Sequence, residues 1–367
     1  MKIEHIQVAS FRNLGDVSVV PHAKVNLLIG ANAQGKTNFL EAMAVAATGS
    51  SFRGSRDRDM VRDGQQGYRV VITHRIAERR IETELSWSLQ RGKELRIGGK
   101  RANFGHPDRL RAVVFTPEDL QLIKGAPEKR RAFMDVLLSQ ISADYRRHHR
   151  ALTALLQRRQ LMVRGHAQDR RGIEVLEDML IETMVPVTMD RISLAARLEE
   201  EMNALYDRLS GEKQVVRVRY ALSYPLSAGR LGPELLAASL AAELRRRRRQ
   251  GDWSAVGKVG PHREDLHVYL DTRNARTHAS QGQQRNLAVC LKLSEMQTVK
   301  AASGHHAVFL LDEVLAELDR ERRQRLVDHL QEAPFQSFIS AVEIPGLLSS
   351  RESKVLTVRG GAVTEEE

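Results

Sequence analysis

The sequence predicts an α/β fold in which a sheet-containing head is built from both ends of the chain, with a helical subdomain inserted between them. Three observations carry that prediction. The apolar segment Lys24–Ile29 runs into Gly30-x-x-x-x-Gly35-Lys36-Thr37, and a helix follows. A second apolar run, Val308–Leu311, ends in Asp312-Glu313 close to the other terminus. Between them, residues from about Glu128 to Gly211 repeat apolar positions every 3.6 residues with almost no strand signal. The boundaries read as 1–125 for the N-terminal part of the head, 126–255 for the helical insertion and 256–367 for the C-terminal part.

Taken in order, residues 2–9 alternate polar and apolar like a half-buried strand, and 24–29 form a strand that delivers Gly30. The helix from Lys36 to about Ala47 puts Phe39, Leu40, Met43 and Ala47 on one face. Alternation returns in Tyr68–Ile76, Ile81–Leu89 and Glu94–Ile97, with turns at Gly64, Gly67 and Gly98-Gly99. Ala112–Phe115 is a short strand stopped by Thr116-Pro117. In the insertion, Gly165 and Gly172 bracket a break between two long helices, Val215–Tyr220 reads as a strand and Pro233–Arg249 as a helix. Sheet-like sequence resumes at Asp265–Leu270. Helix (281–301), strand (307–311), helix (320–331), strand (336–341) and a last strand near 354–358 then alternate, as a partly parallel sheet covered by helices requires.

The 367 residues are 42% hydrophobic and 28% charged, enough for a packed core in a soluble protein. No apolar run has membrane-spanning length, and the N-terminus lacks the apolar stretch of a signal peptide. One cysteine, Cys290, excludes an internal disulfide framework and a cysteine-rich metal site. A cytoplasmic location is expected. The net charge of +11 and a pI near 10.0 favour a polyanionic partner. Nucleic acid is preferred to anionic lipid, because no basic amphipathic anchor or lipidation signal is present.

Gly30-Ala31-Asn32-Ala33-Gln34-Gly35-Lys36-Thr37 has the strand-before, helix-after context of a phosphate-binding loop. Its backbone N–H groups would wrap phosphate oxygens of ATP. Lys36 would neutralise the β and γ phosphates, and the Thr37 hydroxyl would ligate Mg²⁺. Asp312, at the end of a buried strand, is placed for the Mg²⁺ shell, and Glu313 to polarise the attacking water. Two solvated acids capping a strand are the plainer alternative. Ser280-Gln-Gly-Gln-Gln-Arg285 has the form of an ABC-type signature, which acts on a second subunit's nucleotide. It is equally a capping box, with Ser280 as N-cap and Gln283 at the third helical position. Cys290, among Leu287, Val289 and Leu291, reads as core filler.

Phe115-Thr-Pro-Glu-Asp-Leu-x-Leu-Ile-Lys-Gly125-x-Pro-x-x-Arg130-Arg131-x-Phe-Met-Asp135 resembles the signature of the RecF family of bacterial recombination proteins. So do Gly260-Pro-His-Arg263-x-Asp265, the Ser280 segment, Leu311-Asp-Glu-x-Leu-Ala-Glu-Leu-Asp319, Phe11-Arg12-Asn13 and the phosphate loop itself. The resemblance covers nearly the whole chain in order. It implies an ABC/SMC-like P-loop ATPase head without a long coiled coil. It also implies a slow, DNA-stimulated ATPase that forms a homodimer on ATP and binds gapped or single-strand/double-strand junction DNA. With RecO and RecR such a protein would help load RecA in recombinational repair, replication restart and the SOS response. Arg12 and Asn13 would lie near the nucleotide, Ser280, Gly282 and Gln283 would reach the partner's ATP, and Ala316–Asp319 would form a D-loop between subunits.

Two features depart from the family pattern. The acids are Asp312-Glu313 where many members carry two aspartates, and Ile339-Ser340-Ala-Val-Glu343 lacks paired threonines, leaving Ser340 as the candidate γ-phosphate sensor. Candidate DNA contacts are Arg245–Arg249, Arg146-Arg147 with His148-His149, and Arg53, Arg56 and Arg58. A run of five arginines wraps right round a helix and is as compatible with a solvated face. Arg130 and Arg131 would serve equally to pair acids structurally. Few aromatics (5%) imply backbone-led, sequence-tolerant DNA binding. The rival readings are another SMC-like DNA ATPase, a transporter-type ABC ATPase subunit, and a DNA-binding scaffold that binds ATP without hydrolysing it, against which Glu313 argues.

Overall fold

A computed structural model describes residues 1–165, 170–250, 255–343 and 353–365. They form two compact units, one of Met1–Gln121, Arg208–Gly211 and Ala288–Glu367, the other of Leu122–Asp207 and Glu212–Leu287.

The first unit begins with β1 (Lys2–Ala9), β2 (Val17–Val19), β3 (Val25–Ile29), α1 (Lys36–Thr48), β4 (Gly67–Ile76), β5 (Arg79–Ser88), β6 (Gly92–Ile97), β7 (Lys100–Ala102) and β8 (Ala112–Phe115). Six of these strands make one antiparallel sheet in the order β2-β1-β4-β5-β6-β7. Its alternating sequences bury one face, as in β4, where Tyr68, Val70 and Ile72 point into the core.

In the second unit, α2 (Pro127–Ile141), α3 (Ala143–Gly165) and α4 (Arg170–Ser210) are followed by β9 (Val216–Ala221), α5 (Pro233–Arg249), β10 (Asp265–Leu270), β11 (Arg273–Asn274) and α6 (Ala275–His278). Sequence periodicity alone suggests two long helices from 128 to 211; the described residues there form three. Ser142 interrupts them: its backbone N–H closes α2 on Leu138 O, and its hydroxyl accepts the Tyr145 N–H at 3.0 Å, capping α3. The break expected between Gly165 and Gly172 falls partly outside the described residues, and Gly172 itself lies within α4. α4 buries Leu176, Leu180, Met184, Val187, Leu194, Leu198 and Met202 at three- and four-residue intervals. Arg191, in the same stripe, is fully buried. It donates to Asp135 Oδ1 (2.5 Å), Tyr145 Oη (3.0 Å), Tyr220 Oη (3.1 Å) and Pro261 O (2.6 Å).

The strand at Asp265–Leu270 does not resume the head's sheet. β10 pairs antiparallel with β9 and β11 in a three-stranded sheet of its own, so residues 256–287 cluster with the second unit and that unit is not purely helical. Hydrogen bonding decides this: Val218 across from Val268 and Leu266 across from Tyr220 satisfy strands that the sequence shows only as two separate apolar segments.

The chain then runs through α7 (Gln281–Ser303), β12 (Val308–Asp312), α8 (Arg320–Glu332), β13 (Ser337–Ala341), β14 (Ser353–Arg359) and β15 (Ala362–Glu365). The second six-stranded sheet of the first unit has the order β15-β14-β3-β13-β12-β8, parallel except for the β14–β15 hairpin. All five residues of β12 are buried, which accounts for the unbroken apolar run before Asp312. α1 packs against β8, β12 and β13 of this sheet and against β4 and β5 of the antiparallel one. Phe39 through Ala47 are therefore all buried, not only the single face that amphipathic spacing suggests.

Candidate nucleotide site

Parallel strands in register bring their carboxyl ends to one edge, the usual location of sites in such sheets. β3 ends at Ile29 and feeds the Gly30–Gly35 loop, β12 ends at Asp312, and β13 carries Ser340 beside them. Gly30 has to be glycine, because a Cβ there would stand 2.3 Å from Val358 O. Ala31, Asn32 and Ala33 are exposed along the loop, and Lys36 turns back under it. The Lys36 ammonium, only 2% exposed, donates to Gly30 O (2.7 Å) and Ala31 O (3.0 Å) and lies 3.5 Å from Glu313 Oε1.

The Thr37 hydroxyl donates to Asp312 Oδ1 at 2.9 Å, and the Ser340 hydroxyl donates to the same oxygen at 2.8 Å. Burial raises the Asp312 carboxyl above its ordinary value against those two hydroxyls, and neighbouring Glu313 adds to the rise. Ser340 also accepts the Glu313 N–H at 2.8 Å, holding Glu313 at a left-handed φ of 54°. Ser340 is fully buried and its proton is given to Asp312. Ser340 thus ties the Asp312 carboxylate to the Glu313 backbone. Glu313 is 41% exposed and faces the cleft. A hydroxyl and a carboxylate in contact are hard oxygen donors that fit a hard divalent cation such as Mg²⁺. Among the described residues, no group of three or more His, Cys, Asp and Glu could hold a metal by itself.

An open cleft of about 580 Å³ lies over the loop, a size in the range of small-molecule sites, roughly 300–1,000 Å³. Arg12, Asn13, Thr37, Arg53, Asp59 and Asp63 are among its walls. Arg12 is clamped by the buried Glu41 of α1 through Nε and Nη2, both at 3.0 Å, and donates to Asp59 O at 2.7 Å. Asn13 donates to Gln34 O at 3.0 Å and accepts from Asn38 Nδ2 at 2.8 Å. Arg53 reaches Asn38 Oδ1 at 3.2 Å and Glu41 at 3.7 Å and lines this cleft. Sequence reasoning missed Glu41. The signal was there: a lone acid inside the otherwise apolar run Phe39–Ala47 needs a buried cationic partner.

Ser280, Gly282 and Gln283 lie in the second unit, at the start of α7. Both halves of the capping box form: the Gln283 N–H donates to Ser280 Oγ (3.2 Å), and the Ser280 N–H donates to Gln283 Oε1 (3.0 Å). Gln283 Nε2 also donates to Glu212 and Gln214. Ser280 remains exposed. Asp319 caps α8 by accepting the Arg322 N–H at 3.0 Å.

The family described as RecF/RecN/SMC N terminal domain matches residues 2–361. A DNA replication and repair protein RecF of Symbiobacterium thermophilum is 34% identical over 370 residues, covering 99% of this chain and 98% of its own. The chain belongs to the RecF family. A RecF of Heliobacterium modesticaldum is 34% identical, covering 94% of this chain and 93% of its own. A solved structure of the recombination mediator protein RecF with ATP, in the RecFOR pathway, superposes with a TM-score of 0.87 at 27% identity and covers 100% of this chain and 98% of that one. An Smc head domain from Pyrococcus furiosus superposes with a TM-score of 0.56 at 16% identity over 99% and 95% of the two chains, a likeness of fold. The fold of this RecF-family chain is accordingly the ABC/SMC-like ATPase fold.

Several arginines of the basic segments of the RecF-family chain pair with acids. Arg246 and Arg247 grip Glu243 at 2.7 and 2.6 Å, and Arg248 pairs with Glu174 (3.0 Å) and Glu177 (3.4 Å). The run also ends α5, where cations suit the helix dipole. Arg245 and Arg249 are exposed. Arg147 pairs with Asp144 at 2.9 Å, while His149 lies 3.2 Å from Asp135 and stacks on Tyr145. Arg130 grips Asp265 with two bonds, and Arg131 donates to Glu264 O, the structural alternative for both. No described helix is long and apolar enough to cross a membrane.

Proposed function

We propose that this chain is a slow, DNA-stimulated ATPase that forms a homodimer on ATP and binds gapped or single-strand/double-strand junction DNA. With RecO and RecR it would promote RecA loading in recombinational repair, replication restart and the SOS response. The observation that carries the reading is the meeting of Lys36, Thr37, Asp312 and Glu313 at one sheet edge, in a chain matched end to end by RecF proteins. That one such protein was solved with ATP supports the choice of nucleotide.

In this reading the loop N–H groups of Gly30–Gly35 cradle the phosphates, and Lys36 leaves its two carbonyls to neutralise the β and γ oxygens. Thr37 and Asp312 would hold Mg²⁺, which supplies positive charge to the phosphates. Glu313 takes the proton of the attacking water, and its partial exposure in the cleft suits that task. Arg12 and Asn13 wall the nucleotide. Exposed Ser280, with Gly282 and Gln283, would present the amino end of α7 to ATP held by a second copy. The net charge of +11 supports a polyanion on the dimer, reached by backbone contacts. ATP acts chiefly as the ligand that favours the closed dimer, and hydrolysis resets it.

The test is sedimentation of the protein alone, with ADP and with ATP, in the presence and absence of gapped duplex. Dimer formation with ATP only, strengthened by DNA and lost in Lys36→Met, is the expected result. A monomer under every condition would end the trans-acting role of Ser280.

A further inference from the structure

The β14–β15 turn is bonded to the phosphate loop from outside. The Gly361 N–H donates to Gln34 O at 3.0 Å, and the Gly360 N–H donates to Gln34 Oε1 at 2.7 Å. The same Gln34 carbonyl accepts Asn13 Nδ2 at 3.0 Å. One loop residue thus ties together segments from both ends of the chain. The approach is too close for any side chain at position 361: a Cβ there would stand 2.1 Å from Asn13 O, and φ is 82°. Gly360 differs. Its φ is also positive, at 57°, but nothing lies within 4 Å of a Cβ there. The hairpin is anchored away from the loop as well. β14 lies parallel to β3 up to Thr357 beside Ile29, and Lys354 Nζ donates to Val20 O at 2.6 Å and pairs with Glu365 at 2.6 Å.

We propose that the Gly360-Gly361 turn is a positioning element of the nucleotide site, holding Gln34 and Asn13 so that the loop is already shaped for phosphate before nucleotide arrives. The inference rests on the ATP-binding reading above. Ala31, Asn32 and Ala33 are exposed and belong to no helix or strand, and Gln34, which follows them, is the loop residue that the turn and Asn13 fix. A loop ordered in advance spends none of its binding energy on ordering. Loss of the tie therefore weakens nucleotide affinity and leaves turnover at saturation nearly unchanged, because Lys36, Thr37, Asp312 and Glu313 stand on α1, β12 and the residue after it.

The experiment titrates the full-length protein with a fluorescent ATP analogue and Mg²⁺, and measures phosphate release and melting without nucleotide. Gly361→Ala should bind about tenfold more weakly or worse, with kcat within about twofold of wild type. Gly360→Asn keeps the N–H, tolerates positive φ and has open space, so it should bind within about twofold of wild type. If Gly361→Ala does not fold, Lys354→Ala, which removes the hairpin's anchors on Val20 and Glu365 away from the loop, takes its place on the same readouts. A lowered melting temperature with unchanged affinity overturns the proposal, as does equal weakening in Gly361→Ala and Gly360→Asn. Wild-type protein that fails to bind the analogue overturns the ATP reading itself; wild-type binding with indifferent variants overturns only this inference.

Discussion

The Thr37 hydroxyl donates to Asp312 Oδ1 at 2.9 Å although 275 positions separate the two residues. Neither has the other as a sequence neighbour, yet together they make the oxygen pair that suits a divalent ion. Thr37→Val preserves shape and removes the hydroxyl. MgATP hydrolysis should fall by about 10²-fold or more, with the melting temperature little changed. Phosphate release at saturating ATP checks this, and undiminished turnover would remove Thr37 from the site.

Glu313 lies between Lys36 and the cleft, its carboxylate 3.5 Å from the ammonium. Glu313→Gln should cut hydrolysis by about 10²–10⁴-fold while ATP still binds. The variant should accumulate as an ATP-bound dimer in sedimentation. Loss of nucleotide binding in Glu313→Gln would point instead to a role in holding Lys36.

Ser280→Arg puts a bulky cation at the exposed start of α7. ATP should bind to the monomer with wild-type affinity, yet the ATP-dependent dimer should be absent by sedimentation and hydrolysis should drop in parallel. A dimer of normal stability would reduce the segment to its capping box.

Glu41 has a side chain with no exposure, and it holds Arg12 by two bonds, with Ser51 also donating to it. Glu41→Ala leaves a partly buried guanidinium without its carboxylate and should cost about 3 kcal/mol in urea unfolding. The Arg12 loop would loosen with it, so nucleotide affinity should fall as well. A stability change under about 0.5 kcal/mol, the level of an ordinary surface substitution, would contradict the clamp.

Burial alone would raise the Asp265 carboxyl, but His267 and the two-bonded Arg130 outweigh it and hold it well below the usual carboxylate range. A carboxylate lowered in the folded state adds stability above its unfolded value, near pH 4, and loses it as pH falls through the folded value. The second unit should therefore weaken progressively below about pH 4. Asp265→Asn should lower stability at pH 7 and flatten that acid limb, as read by thermal unfolding from pH 7 to pH 2. An unchanged slope in the variant would mean that other acids set the acid limit.

The elements that could be placed in the sequence were those with a local cause. Lys36–Thr48, Ala112–Phe115, Pro233–Arg249 and Arg320–Glu332 carry their period, their caps or their prolines in the residues themselves. The short strands Val17–Val19, Lys100–Ala102 and Ala362–Glu365 escaped, because three or four residues hold too little pattern and owe their form to a neighbour's ladder. The break at Ser142 was missed since a serine cap leaves the helical period intact on both sides. In the site, Gly30–Thr37 and Asp312-Glu313 were legible from spacing. Glu41, Asn38, Gly360 and Gly361 were not, because their partners are distant in the chain.

By itself the sequence determined the chemistry on offer: a glycine-rich loop with Lys36 and Thr37 between a strand and a helix, two acids closing a buried strand, a cappable Ser280 helix and a strongly basic chain. Those are statements about residue types at fixed short spacing, which local backbone geometry converts directly into structure. Only the tertiary structure decided the partners. It set β13 between β3 and β12, so that Ser340 stands beside Asp312 and donates to it. It paired β10 with β9 apart from the head's sheets, turned Arg53 into the cleft, and laid the Gly360-Gly361 turn against Gln34. The physical reason is common to all four. A hydrogen bond or ion pair forms over about 3 Å in space, whatever the separation along the chain, and one sequence records only the latter.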